Sequence, residues 1–287
     1  MISKTNKKAK LQGVYKAVDV LGRNSSSKVY YRIALREEAD KFLDYLISEV
    51  EKGYRPLVKG AVNNSVNLKE LFSKAKNSLM DKFLNNSRKI IAKWWKKLNA
   101  GARKQFAKQF IGVKTSTDLN RIVSVIMERN VGLIQNTMLQ TVNNVENVVY
   151  DGMTRGSDWV ETNKTLKNQS EVIYNKIKRI TNDQTEKANS VLNEVTQRSA
   201  GIEFFEWCTA HDERVSTGKG GHKQLDGKIY KWGDTEHYPI TDSYGNRGTP
   251  QNNRPNCRCV AKAVILMKEY TAKQLSDGSW EIKGVIE

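Results

Sequence analysis

The side chains with the clearest capacity for chemistry lie in the last third of the chain. His222, Cys257 and Cys259 offer one imidazole and two thiols, which are ligands that Zn²⁺ prefers. A fourth ligand would come from one of three neighbouring side chains: Asp212, His211 or Cys208. The spacing differs from that of a standard zinc finger, which contains a C-x₂₋₄-C pair. The residues therefore predict a structural zinc site with Asp212 as the candidate fourth ligand.

A second interpretation of the two cysteines needs no metal. Cysteines are commonly small buried apolar residues, and Cys257 and Cys259 lead into an apolar, strand-like segment. A disulfide between them is disfavoured, because residues two apart on a strand are near the limit of bridging geometry. Three cysteines without an export signal also indicate a reducing compartment. Zinc ligands and buried thiols both remain open at this point.

Two acidic residues lie in segments with the composition of turns. Asp212 follows the strand-like residues 202–209, where a short acid accepts hydrogen bonds from neighbouring backbone N–H groups. Arg214, two residues later, would pair bidentately with a carboxylate. Asp226 and the glycine that follows it predict a turn before a short strand at 228–231.

Enzyme chemistry finds little support in the sequence. The chain has only three histidines, and Cys208 has no general base at a diagnostic spacing. Residues 218–221 are glycine-rich but do not match the P-loop pattern. We therefore expect no catalytic activity. The alternative is a metal-dependent nuclease or toxin-like enzyme that uses His222, Cys257 and Cys259.

Positive charge is concentrated at the front of the chain. The net charge is +17, and residues 1–110 hold 25 Lys and Arg against 9 Asp and Glu, whereas residues 111–287 hold 23 against 22. Between Lys82 and Thr117 there are ten basic residues and no acidic one. Such a segment attracts polyanions, because each phosphate that Lys or Arg neutralises releases counterions. A solvated helix face is the alternative, but such faces usually alternate in sign. The predicted DNA-binding residues are Lys89, Lys93, Lys96, Lys97, Arg103, Lys104 and Lys108.

The spacing of apolar residues predicts a helical front two-thirds. Apolar residues recur at steps of three and four in the predicted helices, 37–51, 68–98, 119–152 and 170–199, the last as one or two helices. Residues 99–101 would break the second helix. Residues 29–35 alternate, which predicts a short strand or the start of a helix. The heptad-like spacing after residue 119 predicts packing against another helix or subunit.

The amino-acid composition of the chain changes near residue 200. Aromatic residues at 202–209 and apolar residues at 260–267 predict strands on either side of a long Gly, Asn, Asp and Pro loop at 232–255. We expect an α+β fold: a mainly helical, elongated N-terminal two-thirds with a small C-terminal α+β domain. The predicted regions are a basic flexible arm (1–28), a basic helical region (29–116), a long-helix region (117–200), the C-terminal domain (201–267) and a tail (268–287).

No membrane span or secretory signal is predicted. No run of 18 or more uncharged apolar residues occurs, and the lysine-rich residues 1–10 are not followed by an apolar segment.

Three ordered blocks in the last third resemble the phage Mu F-like minor head protein family, also called head-morphogenesis proteins. The blocks read Trp-x-Thr-Ala-x-Asp-Glu-Arg-Val from Trp207, His-x-x-Leu-Asp-Gly-Lys-x-Tyr from His222, and Pro-Asn-Cys-Arg-Cys from Pro255. The resemblance covers about residues 170–266 and includes the helix around 180–189. The motif positions are Trp207, Thr209, Asp212, Arg214, His222, Leu225, Gly227, Cys257, Arg258 and Cys259.

The resemblance implies a minor structural protein of a tailed-phage head. Such proteins are present in few copies, associate with the portal and procapsid during assembly, and in some cases bind DNA. The implied partners are the portal protein, the major capsid or scaffolding protein, DNA and further copies of the chain. The implied location is the virion, inside the head or at the portal vertex, and the host cytoplasm during assembly.

The chain departs from the family pattern in two places. One common variant has a C-x-x-C pair after the Asp-x-Arg turn, whereas residues 216–222 here contain no cysteine. This leaves His222 as the one candidate ligand from that block. The loop at 232–255 is also unusually long.

A general nucleic-acid-binding protein without a phage role is a further alternative. The basic front half fits it equally well. However, no helix-turn-helix, single-strand-binding or RNA-recognition pattern stands out, and the three C-terminal blocks would have no explanation.

Overall fold

A computed structural model of the chain describes residues 15–18, 25–54, 65–108, 117–218, 220–250, 257–266 and 269–284. These residues form long helices followed by a β-sheet, so the predicted α+β fold class is confirmed. The helices are α1 (Ser25–Gly53), α2 (Ser65–Lys74), α3 (Met80–Lys108), α4 (Thr117–Arg155) and α5 (Trp159–Ser199), with a π-helical turn at Ala75–Leu79. None of the helices in the described ranges combines the length and apolar composition needed to cross a membrane.

The predicted helices are present, and the predicted break at 99–101 is wrong. Of the two alternatives for residues 29–35, the structure shows the helix, because Tyr31 and Leu35 lie four residues apart and are both buried on one face of α1. The predicted break at 99–101 is absent from α3. There, buried Leu98, Ala102 and Phe106 continue the apolar stripe at steps of four, so the helix extends to Lys108.

The chain divides into two compact units, which we call the helical unit and the sheet unit. The helical unit contains the described residues of 25–97 and 123–184. Its core is aromatic: Tyr31 stacks on Trp94 with ring centroids 4.7 Å apart, and Phe42 meets Phe83 edge to face at 5.6 Å.

Helices α4 and α5 approach each other closely at Gly152. A Cβ atom at this position would lie 2.5 Å from Oγ1 of Thr162 and 2.8 Å from the hydroxyl of Tyr54. Those two hydroxyls are hydrogen-bonded to each other at 2.8 Å, and the Tyr54 hydroxyl also contacts the Ser157 carbonyl. Glycine at 152 therefore leaves room for the polar contact that joins the two helices.

The sheet unit contains the described residues of 1–24, 98–122 and 185–287. Its strands are β1 (Tyr15–Val18), β2 (Phe204–Cys208), β3 (Ile229–Lys231), β4 (Val260–Leu266), β5 (Tyr270–Gln274) and β6 (Trp280–Gly284). All neighbours in the sheet pair antiparallel, in the order β1-β4-β2-β3-β6-β5. Strands β2, β3 and β4 lie where the sequence predicts them.

Two predictions about the ends of the chain are wrong where the structure describes them. Residues predicted as a tail contain β5 and β6, because Tyr270 and Trp280 pack edge to face against Phe204 of β2. Within the predicted flexible arm, Tyr15–Val18 form β1 and pair with β4. The other residues before Ser25, and residues 251–255 of the predicted loop, lie outside the described residues.

The sheet unit begins inside helix α5, at Thr185, whereas the sequence predicts a boundary near residue 200. The reason is a row of polar side chains on the last turns of α5. Ser190 donates to the carbonyl of Pro250, and Asn193 and Gln197 both donate to the carbonyl of Ala261 in β4. The end of α5 is thereby joined to the sheet.

Candidate functional site

His222, Cys257 and Cys259 lie together in the sheet unit, and all three are buried. Nδ1 of His222 is 3.3 Å from Sγ of Cys257 and 3.4 Å from Sγ of Cys259. In tetrahedral zinc sites, with Zn–S of about 2.3 Å and Zn–N of about 2.0–2.1 Å, sulfur and nitrogen ligands are about 3.6 Å apart. A small outward movement of the three side chains would therefore accommodate Zn²⁺. We call these three residues the buried cluster.

The tautomer of His222 is fixed by the backbone of the following loop. Nε2 lies 3.0 Å from the carbonyl oxygen of Thr241, which can only accept a hydrogen bond. Nε2 therefore carries the proton, and Nδ1 presents its lone pair to the two thiols. A carbonyl that holds the second ring nitrogen is the arrangement that orients histidine ligands in metal sites. The side chain is thus set up for coordination through Nδ1.

A glycine brings the His222 segment against this loop. Gly220 has φ of 69°, and a Cβ there would lie 2.3 Å from the carbonyl oxygen of Asp242. Ser216 holds the other side of the segment, since its hydroxyl accepts the His222 N–H at 3.1 Å. The contact between His222 and Thr241 depends on this close approach of the two backbones.

The two thiols ionise as a linked pair. The hydrogen bond from Cys259 lowers the pKa of the Cys257 thiol against the effect of burial. The hydrogen bond to Cys257, together with burial, raises the pKa of Cys259. The indole of Trp207 packs edge to face on the His222 ring at 5.2 Å. The cluster thus favours one thiolate in an aromatic setting, and a bound cation would replace the remaining thiol proton.

Asp212 does not join the buried cluster, so the structure does not support it as a fourth ligand. Its carboxylate instead forms a bidentate pair with Arg258, with N···O distances of 2.7 and 2.5 Å. Arg214 donates its backbone N–H to Asp212 at 3.2 Å, as predicted for an acid in a turn, but its guanidinium makes one contact of 3.5 Å with this carboxylate and no bidentate pair. Hydrogen bonding to Arg258 lowers the pKa of Asp212 to about 2. Among the described His, Cys, Asp and Glu residues, no fourth ligand reaches the buried cluster.

The second block forms a turn that is hydrogen-bonded to the first block. Asp226 has φ of −59° and ψ of 127°, and Gly227 has φ of 77°, which are the values of a type II turn. The turn donates from Gly227 N to the carbonyl of Trp207 at 2.7 Å. Oδ1 of Asp226 accepts the backbone N–H and the hydroxyl of Thr209 at 2.8 and 3.0 Å. The buried side chain of Leu225 anchors the turn in the core.

The motif positions therefore contact one another across the three blocks. Block one meets block two through Thr209 and Asp226, and block three through Asp212 and Arg258. Block two meets block three through the buried cluster. We call these contacts the motif network.

Several residues of this site are not among the sequence predictions. Thr241 orients His222, and Asp226 holds Thr209, a role beyond its predicted turn. Gln197 accepts the indole N–H of Trp232 at 2.9 Å and lies beside Asn193 on α5. The spacing of Ser190, Asn193 and Gln197 at steps of three and four is the signal that reveals a polar helix face directed at the sheet.

The predicted DNA-binding residues all lie on α3, and all are exposed. In the helical unit, Lys89, Lys93 and Lys96 follow at steps of four and three, so they share one face, and Lys97 adjoins them. The Lys97 ammonium lies 4.8 Å from the centre of the Tyr30 ring. The remaining three residues, Arg103, Lys104 and Lys108, lie in the part of α3 that belongs to the sheet unit.

Comparison with known proteins gives one similar protein and one similar family. The chain is 27% identical over 165 residues to an uncharacterized protein of Haemophilus influenzae. The alignment covers 56% of this chain and 33% of the relative, so the chain spans about a third of that relative's length. No solved structure matches the chain. Residues 143–262 match the family described as Phage Mu protein F like protein, which confirms the predicted family resemblance.

Proposed function

We propose that the protein is a minor structural protein of a tailed-phage head that acts in head morphogenesis at or near the portal. The family match supports the head-morphogenesis role. The observation that carries the proposal is the motif network, in which Asp212, His222 and Arg258 from three separate blocks hold one folded unit together. The charged groups of this network bind one another and therefore stabilise the fold, which suits a module that docks onto a partner.

A non-enzymatic role is part of this proposal. The buried cluster is enclosed by Trp207, Tyr230 and other core side chains, which leaves it little access to a large substrate. Asp212 and Arg258 neutralise each other. Divalent-ion-dependent cleavage of DNA by the purified chain, abolished in a folded His222→Ala variant, would overturn this assignment in favour of a nuclease.

The portal association is testable by co-assembly. The full chain is co-expressed with the tagged portal protein encoded in the same genome, and the purified portal rings are separated by sedimentation. We expect the chain to sediment with the rings in a fixed ratio below one copy per portal subunit. Co-expression with the major capsid or scaffolding protein in place of the portal tests those partners. Sedimentation of the purified chain alone tests whether it associates with further copies of itself. Exclusive sedimentation with the capsid or scaffolding protein would contradict the portal assignment.

We further propose that the protein contacts DNA through α3. Lys89, Lys93 and Lys96 line one exposed face in a segment that contains no acidic residue from Lys82 to Thr117. Attraction of this kind is sequence-independent and strongly weakened by salt, because it comes from counterion release. Binding of this kind suits a protein that lies close to packaged DNA.

The salt dependence of DNA binding tests the basic face. Replacing Lys89, Lys93, Lys96 and Lys97 by Gln removes four charges. The slope of log affinity against log salt should become shallower by up to about 3.6, at about 0.9 per phosphate contact. A matched control replaces four cations of α5, Lys164, Lys167, Lys178 and Arg179, which are also exposed. Equal slopes in both variants would contradict a specific role for α3.

For the buried cluster we propose structural Zn²⁺ held by Nδ1 of His222 and by Sγ of Cys257 and Cys259. Support comes from the ligand distances, which are close to tetrahedral edges, and from the carbonyl of Thr241, which fixes the tautomer. The ion would crosslink the second and third blocks and would stabilise the sheet unit rather than react.

Zinc content and stability together test this site. The full chain should retain zinc through dialysis, and chelation should lower its unfolding midpoint. The His222→Ala variant should lose one zinc per chain. His237→Ala is the matched control, because His237 is an exposed histidine of the same unit that pairs with Asp234 at 2.6 Å. Equal zinc content in the two variants would show that the thiols are merely buried.

A further inference from the structure

A second group of metal-ligating side chains lies at the end of β2. Cys208 is the last residue of the strand, His211 follows it, and Asp226 comes from the turn below. Nε2 of His211 is 3.7 Å from Sγ of Cys208 and 3.5 Å from Oδ1 of Asp226. The ligand atoms of all three lie within 4.8 Å of one another. We call these residues the surface cluster.

The two distances from Nε2 of His211 in the surface cluster are those of ligands around a tetrahedral ion. Bond lengths of about 2.3 Å to sulfur, about 2.0–2.1 Å to nitrogen and about 2.1 Å to oxygen place sulfur and nitrogen about 3.6 Å apart, and nitrogen and oxygen about 3.4 Å apart. The observed separations of 3.7 and 3.5 Å differ from these by about a tenth of an ångström. The imidazole of His211 is therefore already at coordination spacing from both Cys208 and Asp226, which lie within 4.8 Å of each other.

The way in which the groups converge favours a cation over a catalytic arrangement. In a hydrogen-bonded Cys–His–Asp triad, the thiol and the carboxylate contact different nitrogens of the imidazole. Here Cys208 and Asp226 both face Nε2 of His211. One N–H cannot point at both partners, whereas one ion between the three atoms would bind all of them.

Two local features hold the ligands in place. Among the described non-glycine residues, a positive φ occurs at His211, with a value of 54°. This left-handed conformation costs about 1 kcal/mol or more, and such strain clusters at functional sites. The carboxylate of Asp226 is oriented by two hydrogen bonds from Thr209. The strand end and the turn thus present prepositioned ligands.

The surface cluster is separate from the buried cluster. Cys208 follows Trp207 in β2 and therefore points to the opposite face of the sheet, away from the core that contains Cys257. The side chain of His211 is 62% exposed and that of Asp226 is 35% exposed. Burial raises the pKa of Cys208, and the neighbouring Lys262 opposes this by favouring the thiolate. A metal here would be accessible to solvent.

We propose that Cys208, His211 and the carboxylate of Asp226 form a second zinc site whose fourth position is open. One thiolate and one carboxylate would balance the charge of Zn²⁺, and three protein ligands with an open position are typical of exchangeable or reactive zinc. The open position is available to water or to a side chain of a partner. This site does not depend on zinc at the buried cluster.

Cobalt titration of the full chain tests the proposal. Co²⁺ is added to metal-free, reduced protein, and the number of bound ions and the thiolate-to-cobalt absorbance are measured. The His211→Ala variant should bind one ion fewer than wild type. Cys208→Ser should lose the same ion and the share of absorbance that comes from one thiolate. His237→Ala, which removes an exposed histidine elsewhere in the unit, should retain all bound ions.

The two metal sites can fail independently. If His222→Ala binds as many ions as wild type but His211→Ala binds one fewer, the surface site stands and the buried site is wrong. If His211→Ala and His237→Ala bind equally, the surface cluster is only a hydrogen-bonded turn and the inference is overturned. Near-ultraviolet circular dichroism establishes that each variant is folded.

Discussion

The helical unit and the sheet unit differ in how many buried polar contacts their cores contain. In the helical unit, aromatic and aliphatic faces meet, as in the stacking of Tyr31 on Trp94 and the edge contact of Phe42 with Phe83. Polar contacts between distant segments occur in both units, as between Tyr54 and Thr162 of the helical unit, but in the sheet unit a whole row of them joins the end of α5 to the sheet. Gln197, for example, accepts from the indole of Trp232 across 35 positions of sequence.

This difference explains where the recognisable motif lies. Apolar packing accepts many combinations of side chains of similar volume, so it leaves little specific sequence signature. A buried hydrogen bond tolerates few substitutions, because the loss of one partner leaves the other polar group unpaired. The three recognisable blocks fall in the sheet unit, where the buried Thr209 bonds to Asp226 and the partly exposed Asp212 and Arg258 pair with each other. The helices carry a repeated apolar pattern, and the family match extends into the end of α4 and into α5.

The strongest test of this contrast is Gln197→Leu. The substitution keeps the volume but removes the acceptor of the Trp232 indole and a donor to the carbonyl of Ala261. Because Gln197 is fully buried, water cannot replace these partners. We expect the free energy of unfolding to fall by about 2–3 kcal/mol, measured by urea denaturation with tryptophan fluorescence.

Thr141→Val is the matched change in the helical unit. Thr141 is also buried, but its hydroxyl donates to the carbonyl of Thr137, which already accepts a helical hydrogen bond. The free energy of unfolding should fall by less than about 1 kcal/mol. Equal losses in the two variants would remove the proposed distinction between the units.

The sequence predicts the helices well because their signal is local and repeated. Apolar steps of three and four identify α1, α3, α4 and α5, and the errors come from reading short signals too strongly. The residues at 99–101 contain a glycine, yet buried Ala102 and Phe106 outweigh its helix-breaking tendency. Likewise, β5 and β6 are missed because their stability depends on packing against Phe204, a residue far away in sequence.

Within the site, the members of the buried cluster are predictable but their partners are not. The sequence indicates His222, Cys257 and Cys259 by residue type, and the fold brings them together. It does not show that Arg258, rather than Arg214, forms the bidentate pair with Asp212. The guanidinium of Arg214, the arginine nearer in sequence, lies farther from the carboxylate than that of Arg258. The role of Thr241 is equally hidden, since it contributes only its backbone carbonyl.

A smaller effect is expected for the polar contact within the helical core. The hydroxyl of Tyr31 donates to Oδ1 of the buried Asn130 at 3.0 Å. Tyr31→Phe keeps the stacking on Trp94 and removes only this bond, so the free energy of unfolding should fall by about 1 kcal/mol.

Urea denaturation of Tyr31→Phe alongside Tyr45→Phe checks this value. Tyr45 is an exposed tyrosine of the same helix, so Tyr45→Phe should change the free energy of unfolding by less than about 0.5 kcal/mol. A loss for Tyr31→Phe as large as that for Gln197→Leu would mean that the helical unit depends on polar contacts as strongly as the sheet unit does.

The smallest effect should come from a surface ion pair at the edge of the sheet. Lys228 lies 2.7 Å from Asp277, and this contact and the bonds from Ser279 lower the pKa of Asp277 to about 2. Because the folded pKa lies below the ordinary value, the stabilisation is present above pH about 4 and is lost as the pH falls through about 2. Both side chains are more than a third exposed, so the pair should contribute less than about 1 kcal/mol.

Asp277→Asn measures this contribution as a function of pH. The difference in free energy of unfolding between wild type and variant should be largest near pH about 5 and should shrink towards pH about 2.5. In a Lys228→Met background the difference should be smaller but not zero, because Ser279 still donates to Asp277 at 3.0 and 2.5 Å. A difference that is independent of pH would mean that the carboxylate acts through the shape of the turn and not through its charge. The polar contacts that distinguish the sheet unit would then be confined to its buried residues.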